Sequence, residues 1–489
     1  MKRLITALAL ATLVAAGPAA AFQPGDPLAA KQWYLQQDRA FDAWPDAPPT
    51  TLLPVRVAIV DSGIDGTHPE LRDRVVAGKS FVGTPWNVDT EGHGTFLAGE
   101  IAPALDDKGM VGMAYLAELV IAKVVRQDGV IPIQAEADAI RWAADQGARV
   151  INLSLGGLRD PADPARDVYS PLEAAAVAYA YRKGALVVAS VGNGDEAPRT
   201  PWRFASYPAA LPHVLGVSAL TKSGAVPDFS NRDPIYNDIA APGQDLFSTF
   251  PYAMTARRPT CSDQGYSDCG SDDYHHAEGT SFAAPQVTAA AAMLLSILPS
   301  LTPDQLSALL EQNADDVTAS TGCLPCTPGH DPYSGWGRLD VARAVDVVQH
   351  AANGEGGLLP PKDRDETNDD AGSSSWPLYG FRPKVKATLD YYDDAVDVYR
   401  VFLRPGQRLS AHLDGPENAN TNLVLWKPGT ERIDDVKTQL RAAQSVKPGS
   451  VEQLAYRATR GGWYYVEARI TTPGFGPYTL TLTKSATSK

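Results

Sequence analysis

The chain has 489 residues, a formal net charge of −14, and a composition that is 44% apolar and 20% charged. That length holds more than one hydrophobic core, and the apolar-to-charged balance excludes a disordered or fibrous chain. The acidity excludes nucleic acid or an anionic membrane surface as the main partner.

Lys2 and Arg3 precede an apolar run that ends in Ala19-Ala20-Ala21. This is the layout of a secretory signal over residues 1–21, cut after Ala21, and it predicts export. The run is too short and too alanine-rich for a membrane span, so no stable membrane insertion is expected. Next comes FQPGDPLAAKQWYLQQDRAFDAW, whose RAFDAW end is helix-like.

From about residue 55 to 350, short β-branched runs alternate with helical patterns. VRVAIV, ELVIAKVV, RVINLSL, ALVVASV and HVLGVSAL are continuous apolar strands. IQAEADAIRWAADQG and the alanine-rich stretch 171–183 repeat their apolar residues at helical spacing. Such strands separated by helices predict a parallel sheet buried on both faces, an α/β unit over residues 22–351. PQVTAAAAMLLSIL (285–298) is interrupted by Gln286 and Thr288 and stops at Pro299, which predicts a core helix with Pro285 in its first turn. Four cysteines in an exported chain favour disulfides. Cys261 and Cys269 bracket a short polar loop, and Cys323 and Cys326 form a C-x-x-C, so two local bridges are expected, although other pairings stay open.

Residues 352–375 turn to Gly, Pro, Ser and acidic residues and read as a linker. Beyond it VDVYRVFL, QRLSAHL, TNLVLW, GWYYVEARI and PYTLTLT alternate at period two, predicting a small all-β sandwich or jelly roll over 376–489. The aromatic run Trp463, Tyr464, Tyr465 fits core and cross-strand packing better than a polymer-binding surface.

Three short segments carry chemistry. VAIVDSGIDGTHPEL puts Asp61 at the carboxyl end of a buried strand, where α/β sheets build their sites. EGHGTFLAGEIA puts His93 between glycines at a helix start, and EGTSFAAPQV puts Ser281 at another. Ser281 alone reads equally as a helix cap. A serine nucleophile needs a base, and the base needs a group to orient it.

Asp61, His93 and Ser281, in this order and in these motifs, resemble the subtilisin-like serine proteases over about residues 24 to 350. The resemblance implies a serine endopeptidase acting on protein or peptide substrates through an acyl-enzyme, with no cofactor in catalysis. His93 would be the base and Asp61 its orienting carboxylate. VVASVGNGD resembles the family segment that ends in an oxyanion-hole asparagine, here Asn193. INLSLGG resembles the substrate-pairing edge, here Ser154, Leu155, Gly156 and Gly157. The position before Tyr-Pro near the primary specificity pocket falls on Ser206, whose small side chain leaves room for bulky apolar groups. Asp26, Glu70, Asp106 and Asp107 fall where relatives assemble a structural calcium site of oxygen ligands.

Departures from the family pattern are Phe96 for a common His, Phe282 for a common Met, and Glu278 before Gly-Thr-Ser. His275 and His276, beside Asp272 and Asp273, read as a solvated loop rather than a metal site. Residues 380–485 resemble the bacterial pre-peptidase C-terminal domain of secreted proteases. Relatives also carry an inhibitory prodomain. The segment after Ala21 already looks like the start of the catalytic unit, so activity is expected without further N-terminal removal, in a monomer. An inactive scaffold and an acyl-transferring enzyme are the alternative classes.

Overall fold

The computed structural model describes residues 22–44, 52–195, 197–257, 273–356, 358, 366–433 and 438–485. The expected signal (1–21), Cys261, Cys269 and Asp272 lie outside these residues. The described chain forms an α/β unit followed by a β unit.

The strands β1 (Arg56–Asp61), β2 (Val75–Ser80), β3 (Glu118–Lys123), β4 (Val150–Leu153), β5 (Leu186–Ser190), β6 (Val214–Leu220) and β7 (Ile239–Pro242) form one sheet. Their order is β2-β3-β1-β4-β5-β6-β7, and every pair is parallel. Successive residues point to opposite faces, so a sheet covered on both sides must be apolar throughout its strands. Val57 and Ile59 face one layer of core, and Ala58 and Val60 face the other. The edge strand β2 escaped the sequence reading because it is only partly covered, with Val76 and Lys79 exposed, and carries Gly78, Lys79 and Ser80.

The helices are α1 (Trp33–Gln37), α2 (Ala40–Ala43), α3 (His93–Ile101), α4 (Ile133–Asp145), α5 (Pro171–Arg182), α6 (Tyr252–Arg257), α7 (Thr280–Ile297), α8 (Pro303–Gln312) and α9 (Val341–Ala352). α3, α7 and α9 pack on one face of the sheet, and α4 and α5 on the other. α7 is apolar all round because neighbours enclose it. It is the one described helix long and apolar enough to cross a membrane, yet it is a core helix, 89% buried. It begins five residues before Pro285, so this proline sits in the second turn and not in the first, as expected from sequence.

β8 (Leu246–Thr249) and β9 (Tyr274–Ala277) pair antiparallel beside α3. His275 and His276 therefore lie on a strand, not in a loop. They point to opposite faces: His275 packs on Phe250, and His276 Nδ1 pairs with Asp245 at 2.8 Å. Cys323 and Cys326 form the expected local disulfide.

The β unit stacks two sheets. One has the order β10 (Trp376–Leu378), β12 (Val396–Leu403), β17 (Gly462–Ile470), β14 (Thr421–Trp426), β15 (Arg441–Ser445). The other has β11 (Lys384–Asp390), β18 (Phe475–Lys484), β13 (Arg408–Asp414), β16 (Val451–Arg457). Alternate residues such as Tyr399, Val401, Leu413, Tyr464 and Leu480 meet in the core between them. Tyr464 is thus a core residue, whereas Trp463 lies on the outer face against Phe402. The described end of the expected linker packs onto this unit: Asn368 is buried, and its carbonyl accepts from the Val398 N–H at 2.6 Å. The two units meet through aromatic and polar contacts. Tyr392 stacks on His330, Arg182 donates to Thr367 Oγ1, and His213, stacked on Tyr181, reaches Asp369.

Candidate active site

The carboxyl ends of β1, β4 and β5 open on one edge of the sheet, and the sequence-predicted residues collect there. Asp61, the last residue of β1, is buried. Its Oδ1 accepts the Ser62 N–H at 2.7 Å, and its two oxygens lie 2.9 and 3.0 Å from His93 Nδ1. This arrangement makes Nδ1 the protonated nitrogen and leaves Nε2 as a base.

His93 opens α3, and the glycines on either side of it have different causes. Gly92 has φ +82°, and a Cβ there would run into the Phe250 ring. A Cβ on Gly94 would strike the Gly63 carbonyl. Burial pushes the imidazole pKa down, but the charge and hydrogen bond of Asp61, with the charges of Asp89 and Glu91, outweigh it and raise the value above the ordinary one.

Sequence reasoning missed Asp89 and Ser62. Asp89 is buried and accepts the N–H groups of Gly92 and Thr95 and the hydroxyls of Ser62 and Thr95. It therefore satisfies the orphan donors of the helix that carries His93. Ser62 Oγ in turn accepts from Gly94 N at 2.9 Å. An Asp three residues before a glycine that opens a helix was the available signal.

Ser281 is the second residue of α7. Pro285 has no N–H to offer the carbonyl four residues earlier, which belongs to Ser281. Ser154 Oγ fills that place, donating to Ser281 O at 2.6 Å. Asn152 Nδ2 donates to Ser154 Oγ and Thr288 Oγ1 to Asn152 Oδ1, so a buried chain of hydrogen bonds pins α7 to the end of β4. Ser281 Oγ donates to the Ser154 carbonyl at 3.2 Å. The Phe282 ring lies 5.2 Å from the His93 ring and 4.6 Å from Phe96, so two of the departures from the family pattern pack on each other. Glu278 accepts from Gln244 Nε2.

Asn193 follows β5. Its Oδ1 accepts from Thr280 N and Thr280 Oγ1 at 2.9 and 2.8 Å, which turns Nδ2 toward Gly279. Gly157 exchanges both backbone hydrogen bonds with Tyr207, so the edge left for an extended ligand is Ser154, Leu155 and Gly156. Ser206 Oγ accepts from Asn231 Nδ2 at 3.2 Å under Gly192, where a Cβ would collide with it.

The four residues expected to hold calcium lie in one region, although among the described residues they do not form a group of three or more ligand atoms close enough to share one ion. Asp26 Oδ1 accepts from Asp106 N, and its buried Oδ2 has no hydrogen-bond partner. Asp107 covers Gly25. Glu70 Oε1 accepts from Tyr274 OH and Met110 N. Burial first, then neighbouring carboxylates, raises the pKa of both Asp26 and Glu70. A hard cation such as calcium would satisfy the orphaned Asp26 oxygen, while Asp106 already pairs with Lys108 at 2.9 Å.

The model described as the subtilase family matches residues 54–337. The chain belongs to the subtilase family. The subtilase is 31% identical over 330 residues to thermitase of Thermoactinomyces vulgaris, covering 66% of this chain and 99% of that one. It is 34% identical over 327 residues to the cell wall-associated protease of Bacillus subtilis, where the match covers 62% of this chain and only 32% of the relative. A solved structure of a protease from Pseudoalteromonas arctica shares the fold, with TM-score 0.53 and 24% identity over 66% of this chain and 99% of that one.

Proposed function

We propose that this subtilase is an exported serine endopeptidase. The observation that carries the reading is the grip of both Asp61 oxygens on His93 Nδ1 beside a serine at the start of α7. Ser281 Oγ turns about its Cα–Cβ bond from the Ser154 carbonyl to His93 Nε2 and gives up its proton as it attacks the substrate carbonyl. Asp61 holds the tautomer and stabilises the imidazolium. The oxyanion meets Asn193 Nδ2 and the Ser281 N–H, which at the second position of a helix has no intrahelical partner. His93 returns the proton to the leaving amine, and water then releases the acyl group from Ser281. Substrate lies extended along Ser154–Gly156, with Ser206 beside the pocket for the side chain before the cleaved bond.

The signal-like residues 1–21 support export and a disulfide-permissive compartment. Asp26, Glu70, Asp106 and Asp107 support structural calcium, which takes no part in the bond-breaking steps. The two-sheet architecture supports reading the β unit as the pre-peptidase C-terminal kind.

The test is casein digestion by the purified chain, with and without a serine-directed phosphonate. Ser281→Ala should lose about 10⁴- to 10⁶-fold in kcat and all phosphonate labelling while keeping the wild-type melting curve. Retained caseinolysis in that variant would remove the proposal.

A further inference from the structure

The β unit reaches the α/β unit beside the substrate edge. Just after β14, the Thr430 hydroxyl donates to the Lys427 carbonyl at 2.9 Å and closes a turn. Ile433 is buried with Val398 and Trp426, and its N–H donates to Asp370 Oδ1 at 2.8 Å. Arg432 stands between these anchors and leaves the core of its own unit. Its guanidinium carbon lies 3.2 Å from the centre of the Tyr169 ring, on the α/β unit. A flat cation over the electron-rich face of a ring is attracted to it, and more so where water is excluded.

Tyr169 stands two residues before α5, where a surface loop returns to the fold. The Val168 N–H donates to the Leu158 carbonyl at 3.1 Å, and Arg166 pairs with Asp160 at 2.6 Å across that loop. Tyr169 also meets Tyr207 edge to face, with ring centres 5.5 Å apart. Tyr207 exchanges both backbone hydrogen bonds with Gly157, at 2.9 and 3.0 Å. Its carbonyl lies so close to Gly156 that a Cβ there would strike it. The Ser206 N–H donates to the Val191 carbonyl at 2.9 Å. Ser206 and Tyr207 therefore join the substrate edge to the segment after β5 that carries Asn193.

We propose that Arg432 is a positioning residue for the pocket that takes the side chain before the cleaved bond. By covering Tyr169 it holds that ring on Tyr207, and so fixes the span between Gly157 and Ser206. This role rests on the protease reading above. The β unit thus takes part in substrate choice without touching substrate. A large apolar side chain fills the pocket and feels the position of its wall, whereas a methyl group does not reach it. A loosened wall weakens binding equally before and during the reaction, so the loss falls on KM rather than kcat.

The test compares Arg432→Ala with the wild type, as full chains, on two peptides that differ only in Phe or Ala before the cleaved bond. KM for the Phe peptide should rise about 3- to 10-fold with kcat within about twofold, and the Ala peptide should be cleaved as before. Amide exchange in the free chain, read by mass spectrometry on peptides spanning Gly157 and Tyr207, should quicken by a similar factor. An unchanged KM on the Phe peptide, an equal rise on both peptides, or unaltered exchange would overturn the proposal. Should Arg432→Ala fail to fold, Arg432→Gln keeps much of the stem, loses the charge and is read in the same way. A wild type that cleaves neither peptide removes the protease reading and this proposal with it. A wild type that cleaves both, matched by Arg432→Ala, removes the proposal alone.

Discussion

The two units bury their sheets differently, and the placement of chemistry follows from that. In the α/β unit helices cover both faces of β1 and β3–β7, so the interiors of those strands are closed to solvent and polar function is confined to the strand ends. Asp61, Ser154 and Asn193 are each at or just beyond such an end. In the β unit each sheet covers one face of a single core, and much of the other face stays outside. Its buried polar groups, such as Trp426 Nε1 on Glu467 and Tyr478 on Asp397, pair within the unit. One unit concentrates its polar side chains at an edge where substrate fits, and the other uses them to fasten a scaffold.

Variants at strand ends of the α/β unit should therefore change turnover, and variants inside the β unit should change stability alone. Asn193→Ala tests the first half most strongly. It removes an oxyanion donor and should lower kcat about 10²- to 10³-fold with little change in KM. A loss carried by KM would make Asn193 a substrate-binding residue instead.

Removing calcium comes next. A ligand at a hundredfold excess over its Kd stabilises the folded form by about 2.7 kcal/mol, so chelator should lower the melting midpoint by several degrees. Asp26→Asn should abolish that difference, and equal midpoints with calcium and with chelator would dismiss the site.

Tyr478→Phe tests the second half. Tyr478 OH donates to Asp397 Oδ2 at 2.6 Å, and both groups are buried. Losing that donor should cost about 1–3 kcal/mol of stability with kcat unchanged. A fall in kcat at full folding would show that the β unit reaches the chemistry.

The least effect on turnover belongs to Glu173 on α5, which faces Glu136 on α4 on the side of the sheet away from α3 and α7. Burial, then the charge and hydrogen bond of Glu136, pushes its carboxyl up to about 9. The neutral form thus favours the fold at low pH, and that contribution is lost as pH climbs from the ordinary carboxylate value toward 9. Glu173→Gln should flatten the alkaline fall in melting midpoint and leave kcat alone, which a pH series of melting curves reads directly.

The sequence by itself determined the sheet, the order of its reacting residues and the two-unit plan. Period and apolarity are local properties: a run such as RVINLSL can only be a strand covered on both faces, and GWYYVEARI only one covered on its alternate residues. Glycines around His93 were legible for the same reason, because backbone conformation leaves its mark on the residue that adopts it. Only the tertiary structure decided which polar groups meet. The hydroxyl of Ser154 completes the gap left by Pro285, 131 positions further on in the numbering. Asp89 caps the helix of His93, and the Gln286 amide of α7 donates to the Pro242 carbonyl of β7. A buried hydrogen bond depends on where a second segment arrives, and nothing in the period or composition of either segment encodes that distance. The same reason hid β2, whose half-covered place at the sheet edge leaves no apolar run to read.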